Sequence, residues 1–181
     1  MSLRIAALGL LAQQPGSGYD LLRYFEKSLA NVWPATQSQL YSELNKLADA
    51  GLIEVSAIGA RGRKEYRITD EGRAELRRWV LNPDDDPPFR SARLLRVFLL
   101  GEVSPEQARA HLADIAETAD AEVARLRALR TEIGDDGSDE LFYGLAALDY
   151  GLRMNAMEAE WARSVIDSLD ARRSKSPPEK V

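Results

Sequence analysis

Six residues within ten positions carry side chains suited to reading base edges: Gln37, Ser38, Gln39, Ser42, Asn45 and Lys46. Glutamine and asparagine can form paired hydrogen bonds with adenine, and serine can bond to either kind of base edge. Fifteen positions on, Arg61, Arg63 and Lys64 gather three cations around Gly62. Such a cluster can neutralise phosphates along a duplex backbone or enter a minor groove. Either group alone is the ordinary composition of a solvated surface. Their combination requires elements that hold one beside the other.

Those elements can be read from the spacing. Leu3, Ile5, Ala6, Leu8, Leu10 and Leu11 suit a buried first helix, which Pro15-Gly16 stops. Ser17 is placed to cap a second helix from about Gly18 to Ala30, with Leu21, Leu22, Phe25 and Leu29 on its apolar face. Thr36-Gln37-Ser38-Gln39 fits a capping box, threonine first and glutamine three residues later. Leu40, Leu44 and Leu47 then predict a third helix held by leucine, with the polar set on its other side, ending at Asp49-Ala50-Gly51. The period next falls to two at Leu52–Ser56 and again at Tyr66–Thr69, with the cationic turn between. A helix from Thr69-Asp70-Glu71-Gly72 through Leu76, Trp79 and Val80 follows. Three helices, a basic hairpin and a closing helix make a winged helix-turn-helix. The third helix would enter a major groove of double-stranded DNA and the hairpin would lie on the backbone.

The motifs within this span resemble those of the PadR family of transcriptional regulators. The resemblance rests on Pro15-Gly16-Ser17-Gly18-Tyr19-Asp20-Leu21, on Tyr41-x-x-Leu44-x-x-Leu47-x-x-x-Gly51-Leu52, and on Tyr66-x-x-Thr69-x-x-Gly72. It covers about the first eighty residues. It implies a DNA-binding homodimer, usually a repressor released by a small molecule, and it implies that Tyr19, Tyr41 and Lys64 lie near phosphates. Packing of the two tyrosine rings in the core is the competing reading. Thr36-Gln37-Ser38-Gln39 replaces the small Ser-Gly-type start common in the family, so the operator bases do not carry over.

The second half reads as all helix. Ser91–Leu100 is a short helix that is apolar along one side, and Ser104-Pro105-Glu106-Gln107 is another capping box with proline at the first helical position. Leu112, Ala119, Leu126 and Ile133 recur every seven residues, a coiled-coil-like seam. A last helix from about Ser138 to Arg172 carries the stripe Leu141, Leu145, Leu148 and Leu152 and a rotated one of Tyr150, Met154, Met157, Trp161 and Val165. A helix with two apolar faces needs two neighbours, and a second copy of the chain can supply one. We therefore expect dimerisation through Leu112, Ala119, Leu126, Leu141, Leu145, Leu148 and Leu152. Tyr150, Met154, Met157 and Trp161 are candidates to border a pocket for an aromatic effector, or else to lie in the interface between copies. The expected fold class is mainly α: a winged helix-turn-helix over residues 1–82, a linker over 83–90, a helical dimerisation domain over 91–173 and a disordered tail over 174–181.

Charge follows the same division. The whole chain is −5, but residues 1–82 hold 11 lysines and arginines against nine acidic residues, and the remainder is acidic. The 181 residues include no cysteine, which excludes disulfides, thiolate metal sites and a cysteine nucleophile. The single histidine, His111, stands in a charged helical stretch outside any nucleophile motif and reads as an exposed surface residue. Asp84-Asp85-Asp86, flanked by prolines, reads as solvated linker before metal site. Neither Gly16-Ser17-Gly18 nor Gly59-Ala60-Arg61-Gly62 completes a nucleotide-binding loop. The sequence thus calls for no enzyme activity, no cofactor and no metal. The apolar run at Ile5–Ala12 is too short to span a bilayer, so a cytoplasmic chain is expected. A winged helix serving protein contact alone, without DNA, is the alternative that the basic hairpin argues against.

Overall fold

A computed structural model describes residues 2–28, 35–59, 62–82, 90–134 and 137–175. Leu29, Arg61, the Asp84–Asp86 run, most of the linker and the last six residues lie outside these segments. The chain divides into two compact units, Met1–Pro88 and Phe89–Val181.

In the first unit the order is α1 (Ser2–Gln13), β1 (Gly16–Ser17), α2 (Gly18–Ser28), α3 (Gln37–Asp49), β2 (Ile53–Ile58), β3 (Lys64–Ile68) and α4 (Asp70–Leu81). The fold is a winged helix. Its core is made of Leu8 and Leu11 of α1, Leu21 and Phe25 of α2, Leu40, Leu44 and Leu47 of α3, and Ile53, Tyr66 and Ile68 of the strands. The sheet is antiparallel with strand order β1-β3-β2, in register Gly16 with Tyr66 and Ile53 with Ile68. β1 was not foreseen, because two residues are too few to alternate. The hairpin is also longer than its sequence suggests. Ala57, Ile58, Lys64 and Glu65 belong to strands, and the pairing shifts by one residue between Val55 and Ala57.

Two local devices fix α3 at its ends. At the start the capping box is complete: the Gln39 amide donates to Thr36 Oγ1 and the Thr36 amide donates to Gln39 Oε1, at 3.3 and 2.9 Å. At the end Gly51, at φ 71°, turns the chain, with Leu52 N–H on the Leu47 carbonyl and Gly51 N–H on that of Ala48, both at 3.0 Å. That pair of bonds is a Schellman closure. The Thr69 hydroxyl then donates to the Gly51 carbonyl at 2.8 Å while accepting from Gly72 N–H at 3.1 Å, so it caps α4 and pins the end of α3 together.

The second unit contains α5 (Ala92–Phe98), a 3-10 turn at Leu100–Glu102, α6 (Pro105–Glu132) and α7 (Asp139–Lys175). Ser91 caps α5 and a complete Ser104–Gln107 box with Pro105 opens α6. α6 and α7 pair antiparallel. Ion pairs join Glu106 to Arg173, Arg109 to Asp170, Asp120 to Arg163 and Arg130 to Asp149, so residues rising along one helix meet residues falling along the other. α7 continues as helix to Lys175, past its expected end at about Arg172 and two residues into the expected tail.

This pairing corrects the seam. Leu112, Ala119 and Leu126, expected between copies, are 1, 1 and 4 % exposed within a single chain. Their heptad row is satisfied by the chain's own α7, as the contact between Leu126 and Gly151 illustrates. Leu141, Leu145, Leu148 and Leu152 are partly buried. The apolar surface left over is elsewhere: Leu94, Leu95, Phe98 and Leu99 at α5, and Phe142, Tyr143, Tyr150, Met154 and Met157 on α7, are exposed, Phe98 by 84 %.

Candidate nucleic-acid interface

The outer side of α3 follows from its inner side. With Leu40, Leu44 and Leu47 completely buried, the helical period turns Gln37, Ser38, Tyr41, Ser42, Asn45 and Lys46 outward, and all six are exposed. Gln39 is exposed too, but its carbonyl oxygen accepts from Thr36 and closes the cap. Only its amino group is left to meet a ligand. Lys46 is exposed and paired with Glu43 at 2.6 Å one turn back, a contact weak enough in water to exchange for a phosphate.

Beside the start of α3 lies a depression of about 250 Å³ lined by Ser17, Gly18, Tyr19, Tyr41, Gly62, Arg63, Lys64 and Tyr66. Four elements contribute: β1, the first turn of α2, α3 and the wing. Ser17 is buried, and its N–H and hydroxyl both donate to Asp20 Oδ2, at 3.0 and 2.7 Å. The third donor to that oxygen is Arg63 Nη2, reaching across from the wing at 2.5 Å. Tyr41 lies over Gly18 so closely that a Cβ there would stand 2.5 Å from ring carbon Cε1. Tyr41 is 37 % exposed and Tyr19 56 %, so the core is not where these rings sit; both edge the depression. Tyr66 forms the floor, and burial, together with the neighbouring Tyr41, pushes its phenol above the ordinary value, keeping it neutral.

Of the wing cations the sequence singled out, Arg63 is committed to Asp20, whereas Lys64 has no ion pair among the described residues; Arg61 lies outside them. Asp20 is the member that residue-type reasoning passed over. An acid in a basic surface offers no signal until the fold brings position 63 to position 20.

The candidates of the second unit separate differently. Tyr150, Met154 and Met157 are exposed, whereas Trp161 is partly buried against Ile115, Ala116 and Ala162. His111 departs from its expected place on the surface: it is partly covered on α6, and its Nε2 is buried without a hydrogen-bond partner among the described residues. No group of three or more histidine, aspartate or glutamate side chains among the described residues could hold a metal ion.

Comparisons with known proteins agree with this geometry. Residues 7–78 match the family model for the PadR-like transcriptional regulators, and residues 89–170 match a model described as the virulence activator alpha C-terminal domain. The negative transcriptional regulator PadR of Bacillus subtilis is 28 % identical over 177 residues, covering 93 % of this chain and 97 % of that one. A probable transcriptional regulator of Mycobacterium tuberculosis is 38 % identical over 86 residues, 46 % of each chain. Among solved structures, Bacillus subtilis PadR in complex with operator DNA superposes with a TM-score of 0.78 at 27 % identity, covering 93 % of this chain and 99 % of that one. The same protein in complex with p-coumaric acid gives 0.79 at 28 %, covering 94 and 99 %. The Vibrio cholerae virulence activator AphA gives 0.80 at 25 %, again covering 94 and 99 %.

Proposed function

The chain belongs to the PadR-like family of transcriptional regulators, and from that premise we propose that it represses transcription as a homodimer bound to a two-fold-related operator. It is a DNA-binding regulator. The observation that carries this is the placement, within one compact unit, of an exposed polar face on α3 next to a depression edged by Tyr19, Tyr41 and Lys64. Gln37, Ser38, Ser42 and Asn45 read base edges in the major groove, and Tyr19, Tyr41 and Lys64 hold phosphate. Repression is the direction supported by the Bacillus subtilis relative, which is a negative regulator.

The homodimer is supported by the apolar surface that one chain leaves uncovered. One winged helix makes few phosphate contacts, and joining two heads makes the second binding event intramolecular. Phe98 with its α5 neighbours, and Phe142, Tyr143, Tyr150, Met154 and Met157 of α7, are the residues that a second copy would cover. The p-coumaric acid complex of the relative supports a small aromatic effector, and release of the DNA by it is part of the proposal. A cytoplasmic location is part of this proposal, since the chain acts on DNA; no helix among the described residues is long and apolar enough to cross a membrane.

Selection of fragments of genomic DNA by the purified chain tests the proposal. Enrichment of a sequence with two half-sites about one helical turn apart is expected. Failure to enrich any sequence favours the alternative, a winged helix used for protein contact.

A further inference from the structure

Asp20 is an acid set into a surface that otherwise receives phosphate. Its Oδ2 collects three donors, Ser17 N, Ser17 Oγ and Arg63 Nη2, at 3.0, 2.7 and 2.5 Å. The first two come from a buried residue whose strand is paired to β3, at Ser17 with Glu65, so the carboxylate is held by donors other than Arg63. Arg63 is drawn from the hairpin onto the start of α2, across 43 residues of sequence. Lys64, next along the chain, remains without an ion pair among the described residues.

We propose that Asp20 sets the charge the wing offers to DNA, by holding Arg63 in an internal ion pair and leaving Lys64 as the described wing's phosphate-binding cation. The proposal rests on the DNA-binding reading above. Sequence-independent affinity grows with each cation that neutralises a phosphate and releases the counterions condensed on the duplex there. An arginine already bound to a fixed carboxylate is not available to neutralise a phosphate and so displaces none of the duplex's counterions, and moving it to a phosphate would strand Asp20 beside that phosphate. The pair therefore contributes position without adding to the background grip. Asp20 is a positioning residue that also tunes specificity, because less of the binding is paid out indiscriminately to any duplex.

The test is the salt dependence of binding by the full-length chain to a labelled mixed-sequence duplex, followed by fluorescence anisotropy over a potassium chloride series. Per chain, Lys64→Gln is expected to flatten the plot of log K against log salt by about 0.9, the value of one phosphate contact. Asp20→Asn is expected to steepen it by about 0.9 and to tighten binding at low salt, because Arg63 is released. Asp20→Glu, which keeps the charge, should restore the original slope, as should Asp20→Asn combined with Arg63→Gln. A carboxylate that merely held the wing in place would act in the opposite direction, its loss flattening the plot. Should Asp20→Asn fail to fold by circular dichroism, Asp20→Ala carries the same expectation. An unchanged or flatter slope in the folded variant, with a wild type that binds, overturns this proposal alone. A wild type that binds no duplex at any salt overturns the DNA reading with it.

Discussion

Tyr41 connects two requirements at one position. Its ring lies on Gly18, and it belongs to the exposed face of α3. A methyl group at Gly18 must push the ring outward, since 2.5 Å is far inside contact distance. The ring has solvent to move into, so Gly18→Ala should cost stability only modestly, about 1 kcal/mol, while carrying the phenol away from the depression. Thermal melts and duplex binding measured on the same sample should thus separate, with affinity falling more than stability. At Asp20 the hydrogen bonds from the Ser17 hydroxyl and amide, followed by Arg63, hold the carboxyl below its ordinary 3.8. A depressed folded value means the contribution to stability is present above about 3.8 and is lost as pH falls through the lower folded value. Urea midpoints of wild type and Asp20→Asn should therefore differ at pH 7 and converge in acid. The difference will be small, because the ion pair is about half exposed to solvent.

At the scale of elements, α3 is specified redundantly. Its leucines set the face, Thr36 and Gln39 set the start, and Gly51 sets the end; all three were legible because each is a local pattern of residue types. Thr36→Ala removes the hydroxyl that accepts from Gln39 N–H, and should lower stability by about 1 kcal/mol. The backbone N–H of residue 36 still donates to the Gln39 carbonyl in this variant, so operator selection is expected to be unchanged while stability falls. What the sequence did not disclose are relations across distance. β1 exists only because Gly16 and Ser17 pair with Tyr66 and Glu65, and a two-residue strand has no period of its own. The same holds for Asp20 with Arg63, and for Thr69, whose place in the Thr-x-x-Gly motif was visible but whose bond to the Gly51 carbonyl was not.

Across the whole molecule the two units divide the labour that their compositions suggest, one near neutral to basic and one acidic. The helical unit shows where periodicity stops being informative. A row such as Leu112, Ala119 and Leu126 needs an apolar partner, and a heptad repeat is the same whether the partner is another chain or the next helix. Here it is the next helix, so Leu148→Asp should chiefly destabilise the chain's own hairpin. Phe98→Asp with Phe142→Asp should instead leave the fold intact and yield monomers in sedimentation velocity; persisting dimers would place the contact elsewhere. The ion pairs along α6 and α7 have a further consequence. Each is exposed and adds little strength, but together they discriminate among alignments. Sliding α7 by one heptad past α6 would bring Arg109 opposite Arg163, two like charges where attraction had been. The hairpin is thus keyed against slippage, and exchanging the charges of Asp120 and Arg163 together should preserve an alignment that exchanging either alone would loosen.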